Sequence, residues 1–351
     1  MLQLLPFLLL RKPPTDGTVK AKTLIPVINR RLRMFDRGEW KELIHEFQED
    51  CVLAQIYRAR KRPNHNLKDE QICRQAAELL SRLKVSKARK LLLSNGLGDP
   101  EDPNIIEQMK EKHPERKQNI SPLTAEETAA ERKGIDREIF EKEIKNLETD
   151  KSPGLGGLRN EHLLALIINR RRVVTPSAAA AIDNYYELAN LIVKVQLPEY
   201  FYTGFVATRL VPANKVNPKD LPPGASPDAR PVNIGNASRR LITRAYFDEG
   251  LVQTYNEILA PIQNGVGIKG GISHTIFGVQ TALESEPNFG VIQGDIKNGY
   301  NEVKRESVLA AIKSYPALSN TVAFMQALRT PKAYIGMGYG INLKTAPFQE
   351  P

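Results

Sequence analysis

The stretch Gly290-Val-Ile-Gln-Gly-Asp-Ile-Lys-Asn-Gly-Tyr-Asn-Glu-Val-Lys-Arg305 decides how the rest of the chain is interpreted. Its apolar start predicts a short strand over residues 290–295 that ends on one carboxylate, Asp295. An aromatic residue, Tyr300, and a helical pattern follow. The dipeptide Asn298-Gly299 allows a second interpretation, an ordinary β-hairpin turn beside a solvated aspartate. The local pattern leaves both open, so the decision depends on the other segments of the chain.

The composition is that of a globular protein with a basic surface. The chain has 351 residues, 41% of them hydrophobic, which excludes wholesale disorder and leaves room for more than one domain. The formal net charge of +10 indicates contact with a polyanion. The two cysteines, Cys51 and Cys73, lack the spacing of a disulfide framework or a zinc module. The apolar opening, residues 1–10, is too short to span a bilayer, so we expect a soluble, intracellular chain without a membrane partner.

Hydrophobic periodicity predicts a helix-rich α+β fold. Two short strands are expected over residues 207–212 and 230–234, separated by a Pro- and Gly-rich loop. Asn236 is the expected N-cap of one long basic helix that ends near Leu259. Three regions are expected in the chain: a basic helical N-terminal region over residues 1–112, a polar linker over 113–133, and the remainder over 134–351.

A basic cluster follows the first long amphipathic helix of the N-terminal region. It consists of Arg58, Arg60, Lys61 and Arg62. These cations either contact nucleic-acid phosphates or form a solvated helix end, where positive charge suits the helix dipole. The sequence leaves the two interpretations open.

The order of the remaining motifs is more specific than any one of them. Along the chain they are Ser152-Pro-Gly-x-x-Gly157, Leu210-Val-Pro-x-Asn-Lys215, Ala229-Arg-Pro-Val232, Gln263-Asn-Gly265 and Gln293-Gly-Asp-x-x-Asn-Gly-Tyr-Asn301. This series resembles the fingers and early palm of the reverse transcriptases of non-LTR retrotransposons, over about residues 135–328. The resemblance implies a right-hand polymerase fold, in which residues 134–351 form the fingers and an incomplete palm. The helices before it look like the basic region that precedes the polymerase in some of these elements.

The resemblance also implies roles for single residues. Lys215 and Arg230 match the cations that neutralise the incoming triphosphate. Asp295 matches the first metal ligand and catalytic carboxylate, with the carbonyl of Ile296 as a second metal contact. Tyr300 matches the aromatic residue that selects deoxynucleotides; its alternative role is a hydrophobic plug beneath the turn.

Four further residues have weaker assignments. Gln263 and Gly265 match a loop that supports the template and the nucleotide, or else form a simple turn between helices. Arg239 and Arg240 either contact template phosphates or belong to a solvated helix face. The expected partners are therefore an RNA template, a DNA primer and a dNTP. The expected cofactor of the intact family is Mg²⁺, which we expect this chain to bind weakly or not at all.

Two departures from the family pattern limit the expected activity. Gly156 stands where the family usually has an aspartate. No aspartate follows Asp295, so the Tyr/Phe-x-Asp-Asp motif that supplies further metal ligands is missing. Two-metal nucleotidyl transfer needs carboxylates from more than one strand, and we therefore expect this chain to be inactive alone. The alternative function is a non-catalytic nucleic-acid-binding module or decayed fragment of such an element, in the nucleus or a cytoplasmic ribonucleoprotein if the element is eukaryotic.

Overall fold

The computed structural model of the chain describes residues 5–15, 21–60, 65–113, 120–167, 176–222, 224–225, 227–286, 288–296, 299–329 and 335–337. The helices in these ranges are α1 (Leu5–Leu10), α2 (Ala21–Asp36), α3 (Trp40–Arg60), α4 (His65–Ser81), α5 (Val85–Leu92), α6 (Pro103–Glu111), α7 (Ala125–Ala129), α8 (Arg137–Lys145), α9 (Asn160–Ile167), α10 (Pro176–Val193), α11 (Glu199–Val206), α12 (Ala237–Tyr246), α13 (Glu249–Leu259), α14 (Gly271–Ser285), α15 (Gly299–Glu302), α16 (Arg305–Lys313) and α17 (Val322–Arg329). The strands are β1 (Thr208–Asn214), β2 (Ala229–Gly235) and β3 (Ile335–Met337).

The chain is helix-rich with one small sheet, which confirms the α+β class. Strand β1 lies in the centre, antiparallel to β2 and parallel to β3. The two strands predicted over residues 207–212 and 230–234 are confirmed as β1 and β2. None of the described helices has the length and apolar character needed to cross a membrane.

The main hydrophobic core contains residues of helices α8 through α12 and of α16 and α17. Phe140, Tyr246 and Phe324 are almost completely buried in it. The rings of Tyr246 and Phe324 meet edge to face at 4.7 Å between centroids, a geometry that aromatic pairs favour. Helix α8 enters this core at a defined point because the side chain of Asp136 accepts hydrogen bonds from the amides of Glu138 and Ile139.

A smaller core fixes the sheet to the preceding helices. Ile105 and Met109 of α6 pack on Leu210 of β1 and Ala229 of β2. The segment before α6 pairs with β1 as well, through a bridge between Leu97 and Ala213. The predicted boundary at residue 112 therefore comes directly after a helix that packs on the strands. Residue 113 and residues 120–133 of the predicted linker are described, and the second of these segments contains α7 and its capping box.

The first three helices form a cluster of their own around Leu9, Met34 and Leu43. Arg31 lies between these helices and is only 1% exposed to solvent. Its guanidinium donates to Glu46 at 2.7 Å, to Asp50 at 3.0 Å and to the carbonyl of Arg11 at 2.7 Å. A buried guanidinium is tolerated here because its donors are met by carboxylates and a carbonyl.

The segment predicted as one long helix from Asn236 to Leu259 is not a single helix, so this prediction is wrong in the helix length. It is divided into α12 and α13, which meet at residues 247–248. Asp248 is the reason for the break, since its side chain accepts a hydrogen bond from the amide of Leu251 and caps the start of α13. Asn236 does precede α12, but its side chain makes no capping hydrogen bond.

The prediction of a strand over residues 290–295 is also wrong. Residues 290–296 have no strand hydrogen bonds, and the side chains of Val291 and Ile292 are 58% and 98% exposed. The preceding α14 is similar: Ile272, Ile276 and Phe277 are exposed although the helix is apolar. An apolar run becomes a strand only beside a partner that satisfies its backbone groups, and the described residues provide none at this place.

Candidate functional site

The register of the β1–β2 pair places the two predicted triphosphate cations on one face. Ala213 lies opposite Arg230, and beyond the strand end the amide of Lys215 donates to the carbonyl of Asp228 at 2.8 Å. Side chains at alternate positions share a face of a strand, so Lys215, Asp228 and Arg230 project from the same side. That side faces solvent, whereas Leu210 on the opposite side is buried under α6.

Asp228 lies between two lysine ammonium groups. One carboxylate oxygen accepts from Lys215 Nζ and the other accepts from Lys112 Nζ. Lys112 also donates to the carbonyl of Ala229 at 2.6 Å. Hydrogen bonds from Lys112 and then Lys215 lower the pKa of Asp228, and their positive charges add to this effect. No local sequence motif marks Lys112 as a partner of Asp228, because the two residues are 116 positions apart.

The backbone on both sides of Asp228 is held by one side chain of α6. The amide group of Gln108 donates to the carbonyl of Pro227 at 3.2 Å and accepts from the amide of Ala229 at 3.0 Å. On the other strand, Asn95 donates to the carbonyl of Lys215 at 2.6 Å. Helix α6 and the segment before it therefore hold the backbone at Lys215 and on both sides of Asp228.

The stretch that carries Asp295 reaches the same helix. In α15, the side chain of Asn301 donates to the carbonyl of Lys112 at 2.8 Å. Tyr300 lies in α15 too, but its side chain is outside the described residues. Asp295 and Ile296 lie in the exposed segment before α15.

The donor set does not fit a two-metal centre in the part of the chain that is described. Such a centre needs several carboxylates around both ions. The described ranges hold no group of three His, Cys, Asp or Glu side chains able to bind a metal. The metal contacts of Asp295 and Ile296 stay a prediction.

Arg239 and Arg240 make internal hydrogen bonds and are half-buried. Arg239 donates to the carbonyl of Val206 at 2.8 Å. Arg240 donates to the carbonyl of Ser152 at 3.1 Å and to the side chain of Asn160 at 3.2 Å. Burial lowers the pKa of both guanidinium groups. They tie α12 to α11, to the loop after α8 and to α9. A contact with template phosphates stays a prediction.

The loop between α13 and α14 is closed by its own side chains. Gln263 donates to the carbonyl of Val266 at 2.9 Å and accepts from the amide of the same residue at 2.6 Å. Gly265 lies inside this turn. These bonds fit the simple-turn interpretation of Gln263 and Gly265 and leave their support of a template untested.

The basic cluster after the first long helix is described only in part. The backbone of Arg58 and Arg60 belongs to the last turn of α3. Their side chains, and the whole of Lys61 and Arg62, lie outside the described residues. Phosphate contact by this cluster stays a prediction.

The described geometry thus brings together Lys112, Lys215, Asp228 and Arg230 at the end of a two-stranded hairpin, with α15 joined to the same helix end. Cations in this arrangement can bind a polyphosphate by charge and by charge-assisted hydrogen bonds. Comparison with known proteins found no match, whether to a family model, to a curated protein or to a solved structure.

Proposed function

We propose that this chain supplies the fingers and an incomplete palm of an RNA-directed DNA polymerase, and that its β1–β2 hairpin binds the triphosphate of an incoming dNTP. The observation that carries the proposal is the pairing of β1 with β2 and its continuation past the strand ends, since Lys215 and Arg230 then share one exposed face. The motif order along residues 135–328 supports it independently. A cation pair displayed in this way complements three linked phosphates.

The two cations have different tasks in this function. The guanidinium of Arg230 is a planar fork that can donate two parallel hydrogen bonds to phosphate oxygens. The ammonium of Lys215 is a compact point charge on a flexible stem. Together they neutralise the triphosphate and orient it along the hairpin.

We further propose that this chain binds nucleotide without extending a primer. Asp295 is the last aspartate of the sequence, and only Glu302, Glu306 and Glu350 follow it as carboxylates. A single exposed carboxylate does not supply the several ligands that two-metal phosphoryl transfer requires. Binding and chemistry are thus expected to separate in this chain.

Calorimetric titration of the purified chain with dTTP tests the binding step. We expect the Arg230→Ala variant to bind dTTP about tenfold more weakly, since it removes charge-assisted hydrogen bonds to phosphate. Arg74→Ala is the matched control, because Arg74 is an exposed arginine on α4 and lies on neither strand of the hairpin. Equal dTTP affinities of the wild type, Arg230→Ala and Arg74→Ala would show that the hairpin does not bind the nucleotide.

Primer extension tests the catalytic step separately. The chain is incubated with an RNA template, a DNA primer, Mg²⁺ and dNTPs, and we expect no extended product. Robust extension would show that the missing carboxylates are not needed and would overturn this part of the proposal. Salt-dependent RNA binding without dTTP binding would instead favour a non-catalytic nucleic-acid-binding module, because counterion release governs that contact.

A further inference from the structure

Lys112 and Lys215 point their ammonium groups at one carboxylate from two separate elements. Lys112 follows the end of α6 and Lys215 follows the end of β1, and both donate to Asp228. Two ammonium groups repel each other unless an anion lies between them. Asp228 fills that place in the described structure, and half of its side chain is exposed to solvent.

The lysine from α6 is held in place more firmly than a surface lysine. Its Nζ donates to the carbonyl of Ala229 in addition to Asp228. The side chain is 21% exposed, against 40% for Lys215. The helix that precedes it is packed on the strands through Ile105 and Met109. The ammonium group of Lys112 is thus already positioned before any ligand arrives.

The backbone of Asp228, in contrast, is fixed more firmly than its carboxylate. Gln108 holds the peptide groups on both sides of it. The carboxylate itself is bound by the two lysines alone among the described contacts, and it lies at the surface. A rotation about its Cα–Cβ bond would take the carboxylate away from the lysines without disturbing the sheet.

We propose that Lys112 is a third cation of the triphosphate site and that Asp228 is an internal competitor, which leaves both lysines when a polyphosphate binds. This inference rests on the proposed nucleotide-binding function of the hairpin. A carboxylate and a phosphate oxygen are alternative acceptors for the same ammonium groups. The polyphosphate therefore has to displace Asp228. The affinity of the site for polyphosphate is thus lower than three cations without this aspartate would give.

Calorimetric titration with inorganic tripolyphosphate measures this competition directly. We expect Asp228→Asn to bind about five- to tenfold more tightly than the wild type, because it removes a negative charge beside the bound phosphates. Asp220→Asn is the matched control, since Asp220 is an exposed aspartate in the same connection between β1 and β2. The control is expected to change the affinity by less than about twofold, since interactions between exposed charges are screened.

A second variant tests Lys112 without its ion pair to Asp228. In the Asp228→Asn background, Lys112→Ala is expected to weaken tripolyphosphate binding about tenfold, because a direct phosphate contact is lost. Asp228→Ser serves as a second neutral variant, and the melting temperature of each protein is measured to confirm folding. If Lys112 only supports the structure, the substitution will lower the melting temperature and leave the affinity of the folded protein unchanged.

The outcomes separate this inference from the proposed function. If Arg230→Ala leaves tripolyphosphate binding unchanged, the hairpin is not the phosphate site and the proposed function fails. If Arg230→Ala weakens binding while neither Asp228 variant tightens it, the function stands and the competition between Asp228 and phosphate is wrong. If Lys112→Ala has no effect in the Asp228→Asn background, Lys112 is not a third cation of the site.

Discussion

Strands are predicted both in the β1–β2 hairpin and over residues 290–295, but only the hairpin forms them. Both contain short apolar runs that end on polar or charged residues. In the hairpin, each strand has an antiparallel partner and α6 covers one face, so Leu210 is 1% exposed. In the second stretch Ile292 is 98% exposed and no strand forms. The difference shows that neighbouring segments, more than the apolar run itself, decide whether a strand forms here.

The largest effect that tests this comparison comes from truncating the two apolar side chains. Leu210→Ala should lower the free energy of unfolding by about 3 kcal/mol, because it removes buried methyl groups and leaves a cavity under α6. Ile292→Ala should change it by less than about 0.5 kcal/mol, as most exposed substitutions do. Urea denaturation followed by far-UV circular dichroism measures both. A large loss in Ile292→Ala would mean that residues 288–296 are packed in solution.

A second pair of substitutions tests the same contrast with glycines. A Cβ on Gly154 would lie 2.7 Å from the amide nitrogen of Asn236, whereas a Cβ on Gly290 would meet nothing within 4 Å. Backbone atoms cannot move aside as a flexible side chain can, so Gly154→Ala should destabilise by about 2 kcal/mol through overpacking. Gly290→Ala should be close to neutral. Comparable urea midpoints for the two variants would contradict the close approach of the loop to α12.

The strands of the hairpin were predictable because local signals agree. Pro- and Gly-rich turns bound both apolar runs, and the motifs with Lys215 and Arg230 lie at their ends. The start of α8 carries a local signal of the same kind, since Asp136 is a good N-cap and caps the helix in the structure. The break at Asp248 was missed because the hydrophobic pattern continues across it, and periodicity does not detect a cap inside a continuous pattern.

Other features depend on contacts that no local pattern contains. Lys112 joins the candidate site only because α6 packs across the strands, and its partner Asp228 is distant in sequence. Asp295 carries a specific motif, yet its predicted strand fails where backbone partners are lacking among the described residues. The sequence thus predicted which residues carry charge at the hairpin. It did not predict which of these charges neutralise one another.

The smallest expected effect concerns charge. It compares Glu46, which lies in the ion pairs around Arg31, with Glu284 on the exposed α14. Burial alone raises the pKa of Glu46, but hydrogen bonds and charges from Arg31 and Arg30 outweigh it, so that its pKa is below the ordinary value of 4.5. A depressed pKa in the folded state stabilises the protein above the unfolded-state value, and this contribution is lost as the pH falls through the folded-state pKa.

Glu46→Gln should therefore lower the free energy of unfolding by about 1 kcal/mol at pH 7, because the buried Arg31 loses a charged partner. The difference from the wild type should shrink as the pH falls below 4.5. Fluorescence of Trp40, the single tryptophan of the chain, reports on α2 and α3 because its ring meets Phe35 at 4.5 Å. Glu284→Gln on the exposed α14 is the control, with an expected change below about 0.5 kcal/mol. A difference for Glu46→Gln that is the same at pH 3 and pH 7 would show that the ion pairs around Arg31 do not stabilise these helices.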